Sequence, residues 1–270
     1  MEMLGYVFVQ RALVAGILVA LLCAFVSFFV VLKRLAFIGN GIAHAAFGGI
    51  AVGLVTGLNP LFTASLLAIS SAWVIGWLSR KGRLPEDTAI GIAFTAAMAL
   101  GLIILNFYKG YVDIFSYLFG NILTVSLPEL RLLGVVTIVV IIFLGIYFHD
   151  LLALTFDEET AEATGVPVTP LYFALLTLLA LTVIVAVKVV GILLTSALIV
   201  LPAATGYQLA KDYRRLLAYS LLVSILTVLS GILVSYYLDL PSGATIVLIA
   251  SFVFLLAFLY GQYVRRIRED

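Results

Sequence analysis

The stretch "YVFVQRALVAGILVALLCAFVSFFVVL", residues 6–32, carries Arg11 as its one charge and is closed by Lys33-Arg34. A bilayer core of about 30 Å needs about 20 consecutive apolar residues in a helix, and this run exceeds that. It is too long for the apolar centre of a secretory signal and has no basic leader, so it is expected to be a retained spanning helix. The rest of the chain has the same character. It is 64% hydrophobic and 11% charged over 270 residues, with mean hydropathy +1.25, where a soluble domain carries about a quarter charged residues. The net charge of +1 says nothing about partners, and the single cysteine, Cys23, excludes an internal disulfide framework.

Working outward, charges and turn residues divide the chain into about nine expected spans. After Tyr6–Leu32 come Gly41–Gly57, Leu61–Ser79, Thr88–Asn106, Leu132–Phe148, Thr169–Val187, Val190–Ala210, Leu216–Leu238 and Ala244–Val264. The sixth and seventh are separated only by a tight turn. The stretch "YKGYVDIFSYLFGNILTVSLPEL" has an apolar middle too short to cross. Loop cations set the orientation. Alternate connections gather Lys33, Arg34, Arg80, Lys81, Arg83, Lys211, Arg214, Arg215, Arg265, Arg266 and Arg268 on one side, against Lys109, Arg131 and Lys188 on the other. The first side is therefore expected to be cytoplasmic, with the amino terminus outside and the carboxyl terminus inside. The reading is one all-α, polytopic membrane domain over residues 1–270, with no soluble domain, low-complexity linker or internal repeat.

In spans this apolar, polar residues are informative. No Asp or Glu falls inside the spans drawn above, which counts against a proton-relay pump. "FIGNGIAHAAFGGIAVG", residues 37–53, places Asn40 and His44 four apart, on one helix face. Imidazole is a common ligand for first-row transition ions and an amide oxygen is a harder donor. The pair reads either as an incomplete metal site or as a histidine hydrogen-bonded within the bundle. Gly41, Ala45, Gly48, Gly49 and Gly53 allow close helix packing, within the chain or against a second copy. In "LTFDEETAEATGVPVTP", Asp157 suits an N-cap, Glu158 and Glu159 a first turn, and Gly165 with Pro167 a stop, so a short helix is expected at about 158–164. It is either a solvated acidic connector or a helix that docks into a cytoplasmic partner. Pro202 is expected to kink its helix, and Thr195 and Ser196 to satisfy freed carbonyls or face a pathway. Lys188 is expected to snorkel to the outer interface and His149 to have no special role. There is no Walker A sequence, Gly-x-Ser-x-Gly elbow, His-Glu-x-x-His motif or cysteine pair, so nothing points to catalysis.

Together these elements resemble the integral-membrane permease of bacterial and archaeal ABC importers for zinc, manganese or iron. Four stretches carry the resemblance. Gly39-Asn40-Gly41-Ile42-Ala43-His44 is similar to a Gly-Asp-x-x-x-His element, with Asn40 in place of the acidic residue. "YLFGNILTVSLPEL" resembles a Phe-Gly segment outside the membrane, and "FDEETAEATGVPV" a cytoplasmic Asp/Glu-x-x-x-Ala-x-x-x-Gly loop. "VVGILLTSALIVLPAATG" resembles the Val-Gly-x-Leu-Leu…Pro-Ala-Ala signature. The resemblance implies a type II importer fold like that of the vitamin B12 permease, in a homodimer embedded in the cytoplasmic membrane. It implies two ATP-binding cassette subunits that hydrolyse the nucleotide, an extracellular or periplasmic metal-binding protein, and no nucleic-acid partner. The chain itself would be a transport subunit with no catalytic residue and no resident cofactor, its cargo a divalent zinc, manganese or iron ion. His44, with Asn40, would handle metal at an outer gate. Phe156, Asp157, Glu158, Glu159, Thr160, Ala161, Glu162, Ala163 and Gly165 would dock the ATPase. Alternative readings keep the fold with an iron chelate, haem or cobalamin as cargo, or make the chain an ATP-independent secondary carrier.

Overall fold

A computed structural model describes residues 6–82, 84–108 and 122–269. The Phe-Gly segment at 117–120 lies outside the described residues. The chain forms helices α1 (Val7–Leu32), α2 (Ile38–Thr56), α3 (Pro60–Gly82), α4 (Glu86–Leu105), α5 (Leu127–Ile146), α6 (Phe148–Phe156), α7 (Glu158–Ala163), α8 (Val168–Leu209), α9 (Tyr213–Leu238) and α10 (Ser242–Glu269), with a 3₁₀ turn at Ile122–Thr124. Among the described residues, eight of these are long and apolar enough to cross a membrane. This is a polytopic, all-helical membrane protein.

The expected sixth and seventh spans are joined in α8, whose 42 residues would reach about 63 Å as one straight rod, twice the bilayer core. Its contacts show that it turns back. Near its start, Arg80 at the end of α3 donates to Thr169 (3.0 Å), and midway Lys188 pairs with Glu129 at the start of α5 (3.5 Å). Further on, the Ala203 N–H donates to the Ser27 hydroxyl, late in α1 (3.2 Å), and Ile199 lies against Gly39 at the start of α2. The two halves therefore run in opposite directions and make nine crossings of the eight helices. The reversal sits at Gly191, with φ 85° and ψ 168°, a conformation suited to glycine. Within α8 only Gly191 departs from helical dihedrals. The expected tight turn between the sixth and seventh spans is thus found at Gly191, and Pro202 lies within the second half with helical dihedrals. Thr195, fully buried, donates to the Gly191 carbonyl (2.8 Å).

Lipid supplies no hydrophobic drive between helices, so close van der Waals contact must hold the bundle together. About two thirds of the α1 and α2 spans and nearly three quarters of α8 are buried, against 22% for α5 and α10, so the first three form the centre. The glycines of α2 are spent inside the chain. A Cβ on Gly49 would lie 2.5 Å from the Ala64 Cα, on Gly53 2.7 Å from the Pro60 Cα, and on Gly48 2.7 Å from the Ala97 carbonyl oxygen. Of the two expected uses of these small residues, the structure displays close packing within the chain, with Gly49 and Gly53 seating α3 and Gly48 seating α4. Contacts of Gly41 with Ile90, His44 with Phe94 and Gly48 with Ala97 run in step, so α2 and α4 are parallel neighbours.

Candidate functional site

Two constellations stand out, both toward the end of the bundle where Lys33 and Arg80 lie, here called the basic end. The first is His44. Because α1 reaches Lys33 and the chain re-enters at Ile38, the start of α2 shares that side. His44 is six residues in, about 9 Å along the helix, and so belongs to the basic half of the bundle. The expected outer-gate position and the expected cytoplasmic basic end do not go together, because chain order puts the imidazole in the half of the bundle that holds Lys33 and Arg80.

His44 is partly buried, packs edge-on to Phe94 (ring centroids 5.3 Å apart), and its Nδ1 lies 2.9 Å from the Asn40 backbone carbonyl. A carbonyl can only accept, so Nδ1 is the donor, and in the neutral imidazole that tautomer leaves the lone pair on Nε2. Metal-binding histidines are commonly held in this way by their second ring nitrogen. One ring nitrogen is therefore tied into the helix, as the hydrogen-bonded reading expects. The Asn40 side-chain amide is not engaged by the imidazole. It is exposed and lines a cavity of about 210 Å³ with Phe37, Gly41, Asp87, Ile90, Gly91 and Phe94. Among the described residues no cluster of three or more His, Cys, Asp or Glu forms a closed metal cage.

The second constellation is the acidic helix. Asp157 caps α7, accepting from the backbone N–H groups of Glu159 (3.1 Å) and Thr160 (3.3 Å). Hydrogen bonds from the Thr160 hydroxyl and backbone, then from Glu159, hold its carboxyl below the ordinary carboxylate range. The cap's contribution is thus full above the unfolded-state value and lost as pH falls through the depressed one. Gly165, at φ 88°, ends the helix in the left-handed region.

The expected docking residues divide into two faces. Phe156 is 68% exposed, and Asp157, Glu159, Thr160, Glu162, Ala163 and Gly165 are exposed with it. Ala161 is buried and Glu158 half-buried, because both point back into the bundle. Glu158 pairs with Lys33 through one oxygen and with Arg80 through the other (2.6 Å). Lys33 also donates to the Leu154 carbonyl (3.2 Å), and Arg80 lies over the Tyr172 ring, 4.6 Å from its centroid. The Tyr172 hydroxyl in turn donates to Glu86 at the start of α4 (3.3 Å). One carboxylate thereby ties α7 to the ends of α1 and α3, to α8 and, through Tyr172, to α4. Glu158 is thus engaged within the fold, apart from the exposed side of α7. The sequence held a signal for this: Glu158 and the apolar Ala161 are three apart and share a helix face.

Sequence reasoning missed Asp87, which lies in the first turn of α4 rather than in a loop. Lys188 does not simply snorkel; it pairs with Glu129. His149 is exposed and lies edge-on to the neighbouring Phe148.

Comparison with known proteins matches residues 5–261 to the ABC 3 transport family. The chain is 36% identical to the manganese transport system membrane protein MntC of Halalkalibacterium halodurans, over 96% of this chain and 89% of that protein. It is 32% identical to a Haemophilus influenzae protein described as an iron transport system membrane protein, over 97% of each. Among solved structures, PsaBC from Streptococcus pneumoniae in complex with Fab superposes with a TM-score of 0.82 at 31% identity, covering 94% of this chain and 91% of that one. Matched over nearly its whole length and sharing a permease fold, the chain belongs to the ABC 3 transport family.

Proposed function

We propose that the chain is the membrane-spanning permease of an ATP-driven importer for a divalent transition ion, manganese or iron. Its relatives carry those metals in their names. The observation that carries the reading is the His44 imidazole, its Nδ1 held by a backbone carbonyl and Nε2 left for a ligand. One nitrogen donor with amide oxygen nearby is too sparse for a permanent metal cage. A transport site must release its ion, and an incomplete ligand set suits that purpose.

In this proposal two copies of the chain enclose the pathway, with the basic end facing the cytoplasm in accordance with the excess of cations there. The exposed side of α7 docks an ATP-binding cassette subunit, with Phe156 as apolar anchor and Glu159 and Glu162 as charged rim. An external binding protein delivers the ion at the opposite end. Closure of the ATPase pair moves α7, Glu158 pulls on Lys33 and Arg80, and the α2–α4 pair opens towards the cytoplasm. The absence of buried carboxylates in the apolar centres of the spans disfavours a proton-coupled carrier.

The test is Mn²⁺ uptake by the permease–ATPase complex in proteoliposomes. His44→Gln keeps a hydrogen-bonding side chain but removes the imidazole, and uptake at limiting metal should fall at least about tenfold. Wild-type uptake in this variant would remove His44 from the pathway.

A further inference from the structure

We propose that Asp87 and Asn40 form an oxygen-lined binding site for a hard divalent cation such as Mn²⁺, at the basic-end mouth of the pathway one helical turn below His44. The inference rests on the reading of His44 given above and adds a ligand that the sequence did not disclose. The parallel register of α2 and α4 places the first turn of α4 beside the first turn of α2, and a cavity of about 210 Å³ lies between them. Among the described residues Asp87 is the only ionisable group that lines it, and the Asn40 amide is the other polar side chain on its wall.

The surroundings make that carboxylate distinctive. Its neighbour Glu86 accepts from Tyr172, and Glu158 is engaged by both Lys33 and Arg80. Among the described residues Asp87 takes part in no ion pair, although Lys33, Arg80 and Lys81 all lie toward this end of the bundle. A cation leaving His44 must pass that positive rim, and one uncommitted carboxylate at the mouth offsets the repulsion locally. Carboxylate and amide oxygens suit manganese, whereas zinc is drawn to imidazole and thiolate. The wall is also open: a Cβ on Gly91 meets nothing within 4 Å, so the side of α4 facing the cavity is held clear by a missing side chain. An Asp in the first turn also complements the helix dipole, and that role alone would leave metal binding untouched.

The experiment is titration of the detergent-purified permease–ATPase complex with MnCl₂, following loss of the free-ion signal by electron paramagnetic resonance. Asp87→Asn should weaken Mn²⁺ binding at least about tenfold, with melting shifted by no more than about 2 °C, and Asp87→Glu should stay within about threefold of wild type. Gly91→Leu, which fills the cavity without touching any charge, should weaken binding to a similar degree, so the test survives poor folding of the Asp87 variants. Asp87→Asn and Gly91→Leu both binding Mn²⁺ like wild type would overturn the proposal. His44→Gln measured alongside separates the two readings. Loss in His44→Gln with wild-type binding in the other two sinks Asp87 alone. Loss in Asp87→Asn with wild-type binding in His44→Gln sinks the imidazole and leaves the oxygen site standing.

Discussion

The two ends of the bundle each hold a half-buried ion pair, and they are built differently. At the basic end, Glu158 joins Lys33 and Arg80, whose side chains are only 13% and 24% exposed, and the contact continues through Tyr172 to Glu86. At the opposite end, Lys188 and Glu129 meet at 3.5 Å, with side chains 38% and 29% exposed, beside a capping box in which Ser126 and Glu129 satisfy each other's backbone N–H groups. The first cluster leads from a helix with an exposed acidic face into the elements that line the α2–α4 cavity. The second fastens the start of α5 to the turn of α8. In the proposed mechanism the difference separates a joint that transmits displacement from one that fixes a corner.

The largest effect should come from separating the docking face from the strut behind it. Glu159→Lys with Glu162→Lys reverses the charge on exposed positions only. Like charges set against a partner cost several kcal/mol, which corresponds to at least about a hundredfold in affinity. Co-purification with the ATPase should therefore be lost while the permease alone keeps its melting temperature. A complex that still assembles would place the docking face elsewhere.

Next in size is the strut itself. Glu158→Gln leaves Lys33 and Arg80 without their shared carboxylate but does not alter the outer face of α7. Coupling between distant sites is typically about 1–3 kcal/mol, so ATP-driven uptake should fall roughly 5- to 150-fold with the complex intact. Destabilisation should stay near 1 kcal/mol, because Glu158 is more than a third exposed and water screens the pair. Uptake that tracks wild type would reduce the cluster to a fastening like that at the other end. Loss of assembly in this variant would return Glu158 to the docking face.

How much of this could be read from the chain depends on the range of the interaction concerned. Spans were legible because a 20-residue apolar run has few fates, and the Asp157 cap because its partners are two and three residues away. The depth of His44 was also available, since helix order alone puts the start of α2 beside Lys33, yet the motif drew attention away from it. That Asn40 and Asp87 line one cavity was not available: it depends on the parallel register of two helices with a third between them in sequence. The same holds for Glu158 and its two cations, 125 and 78 residues away. The reversal in α8 was anticipated as a tight turn between Val187 and Val190, and it falls at the adjacent Gly191, where the missing Cβ permits it.

The smallest effect belongs to the opposite end. Lys188→Gln removes the ion pair with Glu129 but keeps a polar side chain on the rim of a cavity of about 240 Å³ that also meets Asn59 and Pro60. Exposed pairs of this kind are worth about 0–1 kcal/mol, and the capping box still secures the start of α5. The melting temperature should move by only a few degrees. If the ion enters here, removing a positive charge from the rim lowers the barrier to its approach, so uptake should stay level or rise up to about twofold at low salt, with the gain vanishing at high salt. A fall of fivefold or more would show that this end transmits force as the basic end does, and the contrast between joint and corner would fail.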